Sequence, residues 1–247
     1  MNSYISPAII TRVRDFGESD LLVSFFTPDR GRLKGIAKGA RKSRRRFSNC
    51  LDLFCLSNLE YELKREGDLY FLHSCKLVHA FPGVRSDFAS LSLASYMGEL
   101  AEILFPWGVV DRDMFELLKN SFLALDEGEM IDQLRILFET KAMCLGGYKI
   151  NFERCCNCGR IYTGEGRAVF AKSKGGVACL KCEKESKLAP GLGPDTVKAL
   201  QLMQSGPLSK VETAALSDEI IREIKPVLKF HMEYRIGRKL KTAEYLE

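Results

Sequence analysis

Cys155 and Cys158 stand with two residues between them, and twenty residues later Cys179 and Cys182 repeat the spacing. Two such knuckles supply four thiolates for the corners of a tetrahedron, the donor set and geometry that suit Zn2+. With sulfur at every corner no position is left for water or substrate, so the chemistry is structural rather than hydrolytic. Gly159 behind the first pair lets backbone amides turn toward sulfur. "RAVFAKSKGGVA" (167–178) reads as a hairpin that returns the chain to the second pair. Cys156 is a spare thiol, expected to point away when Cys155 and Cys158 both ligate.

A second concentration of chemistry is "KGARKSRRRFS" (38–48), which packs Lys38, Arg41, Lys42, Arg44, Arg45 and Arg46 together with no carboxylate and a lone Phe47 behind them. Residues 1–80 hold 14 Lys+Arg against 9 Asp+Glu, whereas residues 81–247 hold 23 of each, so the whole excess of +5 lies in the first third. Arg32 and Lys34 lead into the run and belong to the same positive element. A surface that only confers solubility mixes signs; concentration in one place points to a polyanion, whether a phosphate backbone, an acidic protein tail or an anionic lipid. Catalytic chemistry is not indicated. His73, His79 and His231 fall in no acid-base motif, and a Walker loop ending at Lys42-Ser43 would need glycines where Ile36 and Arg41 stand.

These residues must be positioned by two kinds of element. The first 80 residues alternate short β-type runs with breaks at Pro28, Gly31, Gly35, Gly39 and "REGD" (65–68), the spacing of a five-stranded OB-type barrel. The basic run is then a long, mobile loop between strands three and four. Such barrels offer an open face where cations meet phosphates and rings stack on bases, which favours single-stranded nucleic acid. Phe47, Phe54, Tyr61 and Tyr70 are the candidate platforms, each more often core than stacking surface in strands that bury half their side chains. From about residue 85 the period becomes 3.6. Helices are expected at 86–105 with Ser86 or Asp87 as cap, 111–125, 130–148 ended by Gly146 and Gly147, 192–206, and 217–241 with a bend at Pro226. The resulting chain is α+β, with a barrel at 1–80 and a helical domain at 81–247 that carries an inserted zinc module at about 151–186. "LASYMGELAEILFPWGVV", interrupted by Glu99, Glu102 and Pro106, falls short of a membrane span. No secretory leader is legible, and the nine cysteines read as thiols of a cytoplasmic, nucleoid-associated protein.

The stretch "IITRVRDFGESDLLVSFFTPDRGRLKGIAKGARKSRRRF" resembles the N-terminal barrel of the bacterial recombination mediator RecO, with its arginine-rich strand, its hairpin, and "KGAR" followed by cations. The "CCNCG" knuckle (155–159), the second knuckle after "GG", and the terminal "YRIGRKLKTAEYLE" are similar to the zinc module and last helix of that family. One departure is "GGYKINFERC", where relatives carry a more apolar, proline-bearing approach; a local effect on packing is expected. The resemblance implies a non-enzymatic protein that binds single- and double-stranded DNA and anneals complementary strands. It implies contacts with the single-strand binding protein SSB and with RecR, and an indirect role in loading RecA. Arg235, Arg238, Lys239 and Lys241 are candidate partners for the acidic tail of SSB, or a second DNA contact. Two other classes compete: a zinc enzyme, denied an open metal position by four cysteines, and a zinc-ribbon adaptor with protein contacts alone.

Overall fold

The structure, a computed structural model, describes residues 3–63, 69–128, 130–206 and 216–246. The expected "REGD" turn lies outside the described residues. Two compact units are present, Met1–Gly128 and Glu129–Glu247.

Five strands form the barrel of the first unit: β1 (Ser3–Phe16), β2 (Asp20–Thr27), β3 (Gly31–Ala37), β4 (Leu56–Leu63) and β5 (Tyr70–His79). They close in the order β1-β2-β3-β5-β4, with β3 and β5 parallel over Gly35–Ala37 and the other pairs antiparallel. Closure depends on the length of β1. Its first half pairs with β4 and its second with β2, and an irregularity between Ile10 and Arg12 turns the strand from one partner to the other. Ala8, Ile10, Val23, Phe25, Leu33, Leu59, Tyr61 and Leu72 fill the interior.

A second apolar layer lies outside the barrel. Phe26 meets Phe105, and Phe122 meets both Phe54 and Phe81 edge-on, with centroids 5.3–6.5 Å apart. This layer holds α1 (Phe88–Leu104) and α2 (Arg112–Asp126) to the strands. α1 starts at Asp87, whose carboxylate accepts from the Ala89 and Ser90 amides at 2.8 and 3.0 Å, and Asp111 caps α2 through Met114.

The second unit has α3 (Ile131–Leu145), a three-stranded sheet of β6 (Ala168–Ala171), β7 (Gly176–Cys179) and β8 (Gly191–Leu192) in the order β7-β6-β8, then α4 (Pro194–Ser205) and α5 (Asp218–Ile236). α3 packs on α4 and α5, and the Phe170 ring of β6 stands edge-on to His231 of α5 at 5.8 Å. α5 is shorter than the expected 217–241, because Gly237 adopts φ +70 and stops it; a separate 3-10 helix covers Lys241–Leu246. Pro226 sits inside α5, with no N–H for the carbonyl one turn earlier. In the departing segment "GGYKINFERC", Ile150 and Phe152 are buried and Asn151 pairs with Gly176 at the start of β7. No helix among the described residues is long and apolar enough to cross a membrane.

Candidate metal centre and nucleic-acid face

The Sγ atoms of Cys155, Cys158, Cys179 and Cys182 all lie within 4.8 Å of one another, and those of Cys158 and Cys179 are 3.9 Å apart. A Zn–S distance of about 2.3 Å sets tetrahedral sulfurs about 3.8 Å apart, so the cluster fits a four-thiolate ion with little movement. The predicted hairpin is β6–β7, in register from Ala168↔Cys179 to Ala171↔Gly176, and it places Cys179 at the mouth of the first knuckle. Gly159 takes φ +74, and its amide returns to the Cys155 carbonyl at 2.9 Å. Burial pushes the Cys155 thiol up, but the amides of Cys158, Cys179 and Asn157 outweigh it and bring it down to about 6. The Cys182 thiol, held by Cys158 and then Cys179, is pushed up to about 12. Ligation by all four sulfurs releases whatever protons their thiols still hold. Cys156 is not in the cluster. Its amide donates to Val177, and burial raises its thiol.

The module is tied to α5 by charge. Arg167 reaches Glu185 at 2.7 Å and Glu223 at 2.9 Å, and Glu223 also accepts from the Gly193 amide at 2.8 Å.

The basic run leaves β3 as a short 3-10 turn (Ala40–Lys42) followed by irregular chain. It is tied down rather than free. The Gly39 amide donates to Asp20 at 2.8 Å, the Arg41 amide to the Ser19 carbonyl at 3.1 Å, and the Arg46 carbonyl accepts from Cys75 of β5 at 2.8 Å. Lys38, Arg41, Lys42, Arg44, Arg45 and Arg46 are all exposed. Arg41 lies 3.5 Å from Asp15, and Arg46 donates to the Lys38 carbonyl at 2.8 Å. Lys42, Arg44 and Arg45 have no ion-pair partner among the described residues.

Two of the predicted DNA contacts are placed differently. Phe47 is 5% exposed and points into the barrel with Cys50, Leu51 and Cys55, so the ring plugs the interior instead of stacking outside it. Phe54 and Tyr61 are buried too, and only Tyr70 remains half-buried. Arg32 is no free cation: Glu102 of α1 binds it at 2.9 Å, and its guanidinium lies 3.6 Å from the Trp107 ring centroid. Burial pulls the Arg32 pKa down, opposed by Glu102. Lys34 is half-buried on the same strand. At the other end of the chain Arg238, Lys239 and Lys241 are exposed, but Arg235 turns inward against Gly175 with its Nε buried.

Sequence reasoning missed Arg12, Arg14, Glu102 and Trp107. Arg12 and Arg14 alternate with buried positions on β1, a readable signal for one outer face. Glu102 is 8% exposed, and its pairing with Arg12 and Arg32 depends on docking α1 against the barrel, which no local pattern reveals.

A closed OB-type barrel with a carboxylate-free basic loop, followed by helices and a four-cysteine module, defines a class of multidomain protein with one exposed basic loop and one candidate metal centre. The Recombination protein O N-terminal family matches residues 1–81, and the Recombination protein O C-terminal family matches residues 85–244. The DNA repair protein RecO of Syntrophus aciditrophicus (strain SB) is 32% identical over 241 residues, covering 96% of this chain and 93% of its own. That of Anaeromyxobacter sp. (strain K) is 32% identical over 239 residues, covering 97% and 94%. A third, from Desulfatibacillum aliphaticivorans, is 30% identical over 247 residues, covering 97% and 95%. The chain belongs to the RecO family of DNA repair and recombination proteins.

Proposed function

We propose that the protein is a recombination mediator that binds single- and double-stranded DNA, anneals complementary strands, and acts with RecR and the acidic tail of SSB to help load RecA. The observation that carries the reading is the exposed, carboxylate-free loop Lys38–Arg46, anchored at both ends on an OB-type barrel. Pairing two strands means bringing two polyanions side by side. A fixed array of cations lowers that repulsion while leaving base edges open, and no bond is made or broken. Because the loop is pinned, its charges are already gathered when DNA arrives, and little ordering entropy opposes binding.

The four cysteines hold Zn2+ in this reading, and the ion supplies no reaction; it clamps the two knuckles so that β6–β7 and the following strand β8 keep their place beside α5. Arg238, Lys239 and Lys241 offer charge for an acidic tail.

Annealing of complementary labelled strands tests the proposal. The protein should accelerate pairing, and a variant with Arg41, Lys42, Arg44, Arg45 and Arg46 replaced by Gln should not, while keeping its metal and its circular dichroism. Equal annealing by both proteins would favour a zinc-ribbon adaptor whose basic loop has no DNA role.

A further inference from the structure

The outer face of the barrel holds a second concentration of charge that the loop does not account for. Arg12 and Arg14 on β1 and Arg32 and Lys34 on β3 surround a groove of about 140 Å³ whose wall includes Trp107. Trp107 follows α1 in a segment that runs beside the first half of β3, which β5 does not pair: it forms a parallel bridge with Arg32, and the Gly108 amide donates to the Arg32 carbonyl at 3.0 Å. Gly31 lets this segment approach, because it adopts φ +66 and a Cβ there would collide with the Val109 carbonyl.

Within the groove the charges have unequal work. Glu102 takes Arg12 at 2.5 Å and Arg32 at 2.9 Å, and so fixes the Arg32 guanidinium against one face of the indole. Arg14 and Lys34 have no ion-pair partner among the described residues. Trp107 remains 50% exposed. An indole held on one face by a clamped guanidinium and still half-exposed is partly ordered before a ligand arrives, so a flat ring can stack on it at reduced entropic cost. The groove is smaller than the roughly 300 Å³ that encloses a whole small-molecule ligand, so a ring would lie on its surface rather than be enclosed by it.

We propose that Trp107 is a base-stacking platform for single-stranded DNA, with Arg14 and Lys34 holding the flanking phosphates. The path of the strand then runs from the loop at Lys38–Arg46 along β3, past Lys34, to the outer face of β1. Paired bases in a duplex cannot reach the ring without unstacking, so the platform favours single strands. This inference rests on the reading of the barrel as a DNA-binding element.

Trp107 is the only tryptophan of the chain, so the emission of the unaltered protein, excited at the red edge where its tyrosines do not absorb, reports on this residue alone. Titration with oligo(dT) at low salt should quench it saturably, with the same midpoint as the anisotropy of a labelled oligo(dT). An abasic oligodeoxynucleotide of equal length, or polyglutamate, should leave it nearly unchanged. Trp107→Ala should weaken oligo(dT) binding roughly 5- to 140-fold without changing its salt dependence, and Trp107→Phe should restore most of it. Arg14→Ala with Lys34→Ala should flatten the salt slope by about 1.4. Anisotropy that rises while emission stays constant overturns the platform and leaves the DNA reading standing. Equal quenching by the abasic strand or polyglutamate reduces the groove to an anion or acidic-peptide site, and also overturns it. Absence of any oligo(dT) binding removes the DNA reading and the platform with it.

Discussion

Phe47 ends the most basic stretch of the chain, yet its ring is inside the barrel. Its neighbours settle the matter: Cys50, Leu51 and Cys55 follow it inward, so these four side chains form a plug and the exposed cations are the part of the loop left outside. Phe47→Ala should therefore cost about 3 to 5 kcal/mol of stability in denaturant unfolding and leave DNA affinity of the folded protein unchanged. Weakened affinity at full stability would return the ring to the DNA. The opposite lesson comes from the cysteines. Their spacing is local, and Cys155, Cys158, Cys179 and Cys182 were legible as one set because each pair is a short loop and a hairpin joins the two. Cys155→Ser and Cys182→Ser should each lose the bound zinc by elemental analysis, whereas Cys156→Ser should keep it. Loss in the Cys156 variant would mean that the wrong sulfur is assigned to the first knuckle.

At the scale of elements, helix starts were readable wherever a carboxylate caps them, as at Asp87 and Asp111. The end of α5 was less so. "RIGRKLK" continues an amphipathic pattern past Gly237, and a glycine inside such a pattern can be carried through as helix or can cap it, a choice the local pattern does not make. The four-cysteine module presents the converse case: β6 and β7 have four residues each, too few to be stable as an isolated hairpin, and they lean on β8, on α5 and, under the proposed function, on a metal held by the four thiolates. Zinc at sites of this kind contributes on the order of 10 to 16 kcal/mol to folding. Chelation of the full-length protein should thus lower the unfolding temperature of the unit Glu129–Glu247 and open its 151–186 segment to protease. The barrel should remain resistant. Simultaneous loss of both units, or neither, would contradict a metal that serves one unit only.

For the whole molecule, the change of period near residue 85 marks where strands give way to helices, and the family matches change at the same place. Compactness divides elsewhere, after Gly128, because Phe26, Phe54 and Phe81 bind α1 and α2 to the strands. The consecutive pair Phe25-Phe26 carried this information, one ring facing inward and the next outward, but apolar residues on both faces of a strand do not say which element covers the second. Charge was easier to read, since the excess of the first third needs no fold to be counted. What only the structure shows is its partition: Arg30 stacks on Tyr4 and Arg32 on Trp107, while Lys42, Arg44 and Arg45 face outward without ion-pair partners among the described residues.

That partition makes the salt dependence of single-strand binding the most direct measurement. Each phosphate neutralised on a single strand contributes about −0.7 to the slope of log K against log[salt]. Replacing Arg41, Lys42, Arg44, Arg45 and Arg46 should remove roughly three to five contacts and flatten the slope by about 2 to 3.5, for strands of any sequence. An unchanged slope and affinity in that variant, with fold and zinc intact, would contradict the assignment of the loop as the DNA-binding element.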